Sequence, residues 1–460
     1  MRSKALFGVC TAGYLLMLGA CLLYFKERTV ILDASYQLFH ILAKDGFAIQ
    51  VNRFGAAITQ AFPLLGSRLG FSLPVLMQLY SAGFVLFYFA AFLFTWLVLR
   101  NQRLALVIFL FNFLMTTHSF FWIQCELVQG VVFTLLFLGL VERQLQRGIV
   151  SPVFWAVSPL LLITIVFFYP LLPFVLLFGL AFFALEYRKQ YQWLLAIGLS
   201  YLLIYGIKVL FFKTDYDSNA MGGISNLKAA FPDYFTIQSN KNLARWMLKD
   251  YYLLPIAFAL ICIRYVQTRQ FRKLSLFAVF FIGLTGIINI VNYQGTAPQF
   301  YLEPQYTILA VFIGFAWAYD GLPVGSKSWL LPLVAGIIVL LFAIRVHSTG
   351  IQYTARLDWF RKTAQTVPDK TVLTQADVPL DLLKMTWGSA FEWWLLSTSE
   401  TGKTKSLIIE EQPGQYDWAF SNPKLLLTKW EPYNYAKLPP LYFVLKDTVR
   451  TYSRYQRVSQ

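Results

Sequence analysis

The chain has 460 residues, of which 57% are hydrophobic and only 13% charged, with a formal net charge of +16. A soluble chain carries about 25% charged residues, so this composition excludes an ordinary soluble enzyme and points to a protein solvated largely by lipid. The basic residues cluster in short loops between apolar runs rather than in a stripe interleaved with exposed aromatics, which argues against a nucleic-acid partner.

Apolar runs without period-two alternation predict helices, because in lipid every backbone group must bond within its own segment. Residues 5–25 form the first, and Lys26-Glu27-Arg28 follows it where a cleaved leader would carry small residues, so it reads as a retained signal anchor. Further spans are expected near 75–99, 104–121, 127–141, 152–169, 171–185, 192–212, 251–264, 274–291, 305–319 and 329–346. Basic residues follow the second, fourth, sixth and eighth: Arg100 and Arg103, Arg143 and Arg147, Arg188 and Lys189, then Arg264, Arg269, Arg272 and Lys273. That alternation, with Arg2, Lys4 and Lys327, places the N-terminus in the cytoplasm and the chain beyond His347 outside. Lys26 and Arg28 are local exceptions on the outer side. Cys10, Cys21, Cys125 and Cys262 lie in or beside apolar segments and read as small packing residues.

Residues 347–460 are more polar and punctuated by tryptophans. Val367-Pro368-Asp369-Lys370 signals a turn, and Thr371–Thr374 and Leu407–Ile409 read as short strands. The expected fold is an all-α polytopic membrane bundle of about eleven transmembrane helices over residues 1–346, with a small, compactly folded α/β extracytoplasmic C-terminal domain over 347–460. The localisation this implies is the cytoplasmic (inner) membrane.

The first external loop, residues 26–73, is too polar to span. Asp33, Tyr36, Gln37, His40 and Lys44 share one helical face, and Leu38, Ile41 and Leu42 the other. Phe54, Ile58, Ala61, Phe62, Leu65 and Leu69 make a second apolar stripe, with Pro63 expected to kink or divide that helix. Two amphipathic helices lying in the outer interface fit this pattern. Asp33 reads either as an N-cap or as a functional carboxylate at the outer surface, and Arg53 either as a snorkelling residue or as a ligand-binding cation.

Leu32-Asp33-Ala34-Ser35-Tyr36, Asn52-Arg53-Phe54 with Gln60 to Leu65, and Gln299-Phe300-Tyr301-Leu302-Glu303-Pro304 resemble the GT-C superfamily of membrane glycosyltransferases, which includes protein O-mannosyltransferases and aminoarabinose transferases. Members have an acidic residue early in a long first external loop, amphipathic helices in that loop, many spans and often an external C-terminal domain. The chain departs from the common pattern twice: Ala34 follows Asp33 where many relatives carry a second acid, and Phe300 stands where many carry an arginine.

The resemblance implies transfer of a sugar from a polyprenyl-phosphate donor in the membrane lipid to a glycan, lipid or protein acceptor outside. Asp33 would be the general base and Glu126 would orient a substrate. Arg53 would pair with donor phosphate, and Tyr36, His118, Tyr301 and Glu303 would complete the substrate-binding set. Glu126 also suits the first turn of its helix, where the dipole favours it. No metal ligand set is evident, although a divalent ion is compatible with the chemistry; Asp215-Tyr216-Asp217 reads as a solvated loop. A polytopic transporter or flippase, or a non-catalytic envelope-assembly protein, is the alternative reading.

Overall fold

The computed structural model describes residues 2–215, 223–321, 329–445 and 449–455 and is mostly helical. Lys327 and Asp217 lie outside these residues. Helix α1 (Arg2–Leu23) breaks at Tyr24 into the short α2 (Phe25–Thr29), followed by α3 (Leu32–Lys44) and α4 (Ala57–Arg68). Then come α5 (Leu73–Leu93), α6 (Gln102–Phe113), α7 (Glu126–Arg147), α8 (Pro152–Val166), α9 (Leu172–Glu186) and α10 (Tyr191–Phe211). The second half carries α11 (Gln238–Lys249), α12 (Leu253–Gln267), α13 (Phe271–Val291), α14 (Gln299–Tyr306), α15 (Ile308–Ala316) and α16 (Leu330–Thr366).

Among the described residues, five helices are long and apolar enough to cross a membrane: Lys4–Leu23, Leu73–Val98, Arg188–Phe211, Phe271–Val291 and Leu330–Thr366. A sixth span arises if α11 and α12, bent by 92° at their junction, act as one. Helices α6, α8 and α9 are apolar but only 12, 15 and 15 residues long. At 1.5 Å per residue these reach about 18–23 Å, short of a hydrocarbon core of roughly 30 Å.

Buried cations finish two of these helices. A helix leaves its last carbonyls without partners, and apolar surroundings supply none. Arg345 of α16 donates to Phe113 O at 2.7 Å and Leu114 O at 2.8 Å, closing α6. Lys208 donates to Val166 O at 3.1 Å at the end of α8. Arg28 reaches Ser81 Oγ at 2.8 Å and the Phe120 carbonyl, and Lys26 pairs with Glu400 at 2.7 Å. Lys26 and Arg28, the two exceptions to the expected charge alternation, are thus held by specific partners.

The expected boundary at 346/347 falls inside α16, one continuous helix of 37 residues. Beyond it, β1 (Thr371–Thr374) pairs in parallel with β2 (Leu407–Glu410) and with β5 (Ser453–Arg454), in the order β2-β1-β5. A two-residue antiparallel pair joins β3 (Leu425–Leu426) to β4 (Tyr433–Asn434). The first two strands sit where turn signals and β-branched residues put them. Helix α17 (Ser389–Thr401) packs on α3, and one apolar core runs from α1 to Tyr442 and Phe443, beside a smaller one of Val372, Ile408, Leu427 and Tyr452 around the strands.

Helix α3 therefore does not lie in an interface with one wet face. Gln37 is 1% and His40 5% exposed: Gln60 and Tyr80 meet the Gln37 amide, and Phe391 and Tyr433 lie against the His40 ring. Of the expected apolar stripe, Phe54, Leu65 and Leu69 are exposed, while Phe62 turns inward onto α5. Pro63 sits inside α4 without dividing it. The helix packs closely on α5: a Cβ at Gly83 would come within 2.7 Å of Phe62.

Candidate functional site

Helix α3 starts without a local cap. Its N-cap is Ile31, and Asp33 is the second helical residue rather than the cap. The backbone N–H of Leu32 donates instead to Glu392 Oε1 at 2.6 Å. That carboxylate is fully buried and ion-paired with Arg356 at 2.6 Å, and Arg356 also donates to Val30 O at 3.0 Å. The approach is close enough that a Cβ on Gly388 would lie 2.9 Å from the Leu32 Cα. A long-range acid thus does the capping, and the Asp33 carboxylate faces elsewhere.

It faces a cavity of about 640 Å³ between the segment linking α2 to α5, the turn before α7 and the C-terminal segment. Asp33, Arg53, Glu126 and Tyr301 all line it, together with Trp122 and Gln124 from the polar-aromatic turn. The indole N–H of Trp122 donates to Asp33 Oδ2 at 3.1 Å, and its ring stacks on Tyr301 with centroids 5.4 Å apart. Arg53 pairs with Glu126 Oε2 at 3.1 Å and lies 4.6 Å from the centre of the Tyr169 ring.

A chain of amides braces this pair from behind. Gln124 Nε2 is 3.4 Å from Glu126 Oε1, and Tyr80 Oη donates to Gln124 Oε1 at 2.6 Å. Gln60 donates to Gln37 and, at 3.2 Å, to Ala48 O. Such buried networks fix orientation when each member has a partner.

Burial and the neighbouring Glu126 charge push the Asp33 carboxyl up to about 7, against the opposing pull of the Trp122 hydrogen bond and Arg53. A carboxyl poised there exchanges a proton at neutral pH. Leu32, Val51 and Asn52 adopt φ of 35°, 42° and 60° beside this site. Left-handed backbone at non-glycine residues costs about 1–3 kcal/mol each and persists where surrounding structure enforces it.

Tyr36 does not line the cavity but sits behind its aromatic wall, 5.3 Å from Trp430 and 6.2 Å from Trp387 between ring centres. His118 and Glu303 are not brought to the cavity. Glu303 is wholly buried and accepts hydrogen bonds from the N–H groups of Thr117 (2.7 Å), His118 (3.1 Å) and Ser119 (2.8 Å). The hydroxyls of Ser119 (2.6 Å), Tyr251 (2.8 Å) and Thr117 add to these. Its carboxylate holds the turn that presents Trp122, and burial is outweighed by these donors and His118, so its pKa is lowered. The His118 ring lies 3.2 Å from Tyr353 Oη. Phe300, at the position where an arginine is common in the resembled superfamily, packs edge-on against Trp122 at 5.1 Å.

The lining also holds residues that sequence reading passed over: Gln50, Tyr169, Gln305, Met385, Trp387, Lys429 and Trp430. Trp430 is 59% exposed. Glu411 fixes the loops of Trp387 and Trp430, pairing with Lys429 at 2.6 Å and accepting from Thr386 at 3.1 Å. Among the described residues no three His, Cys, Asp or Glu side chains form a group set to hold a metal ion.

Carboxylates, a guanidinium, amides and aromatic faces around one cavity suit a polyhydroxylated ligand with an anionic group. Comparison with protein-family models, curated proteins and solved structures finds no match for the chain.

Proposed function

We propose that the protein is a GT-C-like membrane glycosyltransferase, moving a sugar from a polyprenyl-phosphate donor to an acceptor on the outer side of the cytoplasmic membrane. In this reading the shorter apolar helices pack between the long ones within the membrane, the N-terminus is inside, and the segment after His347 lies outside. The observation that supports it best is the convergence of Asp33, Arg53 and Glu126, from two separate parts of the chain, on one aromatic-walled cavity.

Asp33 accepts the proton of the acceptor hydroxyl as that oxygen attacks the anomeric carbon. The bond from carbon to phosphate oxygen breaks, and its electron pair leaves with the phosphate. Arg53 faces that developing charge; a guanidinium has five N–H donors and can hold Glu126 and a phosphate together. Trp387, Trp430 and Tyr301 offer flat faces to the sugar, and the glutamines offer donors and acceptors to its hydroxyls.

The test is transfer of radiolabelled sugar from membrane lipid to acceptor in vesicles. Asp33→Asn should lower transfer by a factor on the order of 10² or more while leaving expression near normal. Full transfer by Asp33→Asn would overturn the assignment of the base.

A further inference from the structure

A second cavity, about 500 Å³ in volume, opens where the span Leu73–Val98 ends. Three arginines line it: Arg100 after the span, and Arg143 and Arg147 one turn apart on α7. No carboxylate is in its lining, and none of the three forms an ion pair among the described residues. The adjacent acid in sequence, Glu142, is turned away. It is 1% exposed and accepts from Tyr187 at 2.9 Å and from Asn101 and Tyr319, so its charge is spent elsewhere. Arg143 is steadied by a 3.4 Å bond to Val98 O. Beside the arginines, Leu97 and Val98 are 56% and 52% exposed at the end of the apolar span.

We propose that this cavity binds the headgroup of an anionic phospholipid. Uncompensated guanidiniums bind phosphate oxygens bidentately, and an apolar flank at the same depth lets the acyl chains continue along α5. A free phosphate ion would use the guanidiniums alone and gain nothing from Leu97 and Val98. The site is separate from the cavity at Asp33 and does not depend on the transfer reading.

The experiment is native mass spectrometry of the detergent-solubilised full chain titrated with phosphatidylglycerol, phosphatidylcholine or inorganic phosphate. Phosphatidylglycerol should bind tightly and phosphatidylcholine and phosphate weakly. The combined variant Arg100→Gln, Arg143→Gln, Arg147→Gln should bind it roughly 10²-fold more weakly, since each basic residue near a lipid surface contributes about a fivefold factor. The control Arg188→Gln, Lys189→Gln, which removes exposed basic residues outside the cavity, should bind as wild type does. A thermal melt confirms that each variant is folded. Equal loss in the control, an unchanged triple variant, or equally tight binding of inorganic phosphate would each overturn the proposal.

Discussion

The indole N–H of Trp122 donates to Asp33 Oδ2 at 3.1 Å, joining the turn before α7 to the first turn of α3. This bond favours the charged carboxylate, whereas burial and Glu126 disfavour it, and the balance leaves Asp33 near 7. Sugar transfer should therefore rise with pH and level off above about 7. Glu126→Gln removes a like charge and should move that limb to lower pH. Trp122→Phe removes a stabilising donor and should move it to higher pH. A pH series of transfer rates in vesicles reads all three, and a limb unmoved by either change would contradict the assignment.

The same shift has a consequence for stability. A carboxyl raised from 3.8 to about 7 binds its proton more tightly in the folded state. Its contribution is present below the lower value and lost as pH rises through the upper one. Asp33→Asn should flatten that part of the stability profile, as read by melting temperature against pH.

Glu303 should behave as a structural residue despite its position in a motif that resembles a substrate site. Glu303→Gln places an amide donor among N–H and O–H donors in a fully buried site. The expected cost is on the order of 3 kcal/mol or more, seen as loss of folded protein in size-exclusion and thermal-melt measurements. Normal folding with a selective loss of transfer would return Glu303 to the site.

The Arg356–Glu392 pair ties the C-terminal segment to the start of α3. Glu392→Ala leaves Arg356 buried without its counter-charge and α3 without its cap, at a cost of roughly 3–5 kcal/mol. For the same reason a fragment beginning near residue 350 exposes Phe391, Trp394 and Phe443, which pack on Phe39. The isolated fragment should lack a cooperative melt and recover one when joined to the first 350 residues. Dispersed amide resonances from the fragment alone would contradict this.

Trp430 is exposed and makes ring contacts to Trp387 and Tyr36, so its removal should cost little stability. Trp430→Ala should raise the KM for one of the two substrates about three- to tenfold with kcat less affected, the scale of one lost aromatic contact. Steady-state kinetics with each substrate varied in turn decides it.

The sequence by itself determined the elements whose signals are local. Apolar runs of sufficient length mark Lys4–Leu23, Leu73–Val98 and Phe271–Val291, because lipid demands an unbroken apolar surface. β-branched runs after a turn mark β1 and β2. The polar-aromatic turn at Trp122, Gln124 and Glu126 stood out because such residues are costly beside a span. Only the tertiary structure decided which polar residues share a cavity and which support it. Asp33 and Glu303 are both acids near the ends of apolar segments. One opens to a cavity because Glu392 takes over the cap of α3, and the other is enclosed because Thr117, His118, Ser119 and Tyr251 close around it. Those partners lie tens to hundreds of residues away, and the contribution of each depends on desolvation that only packing creates.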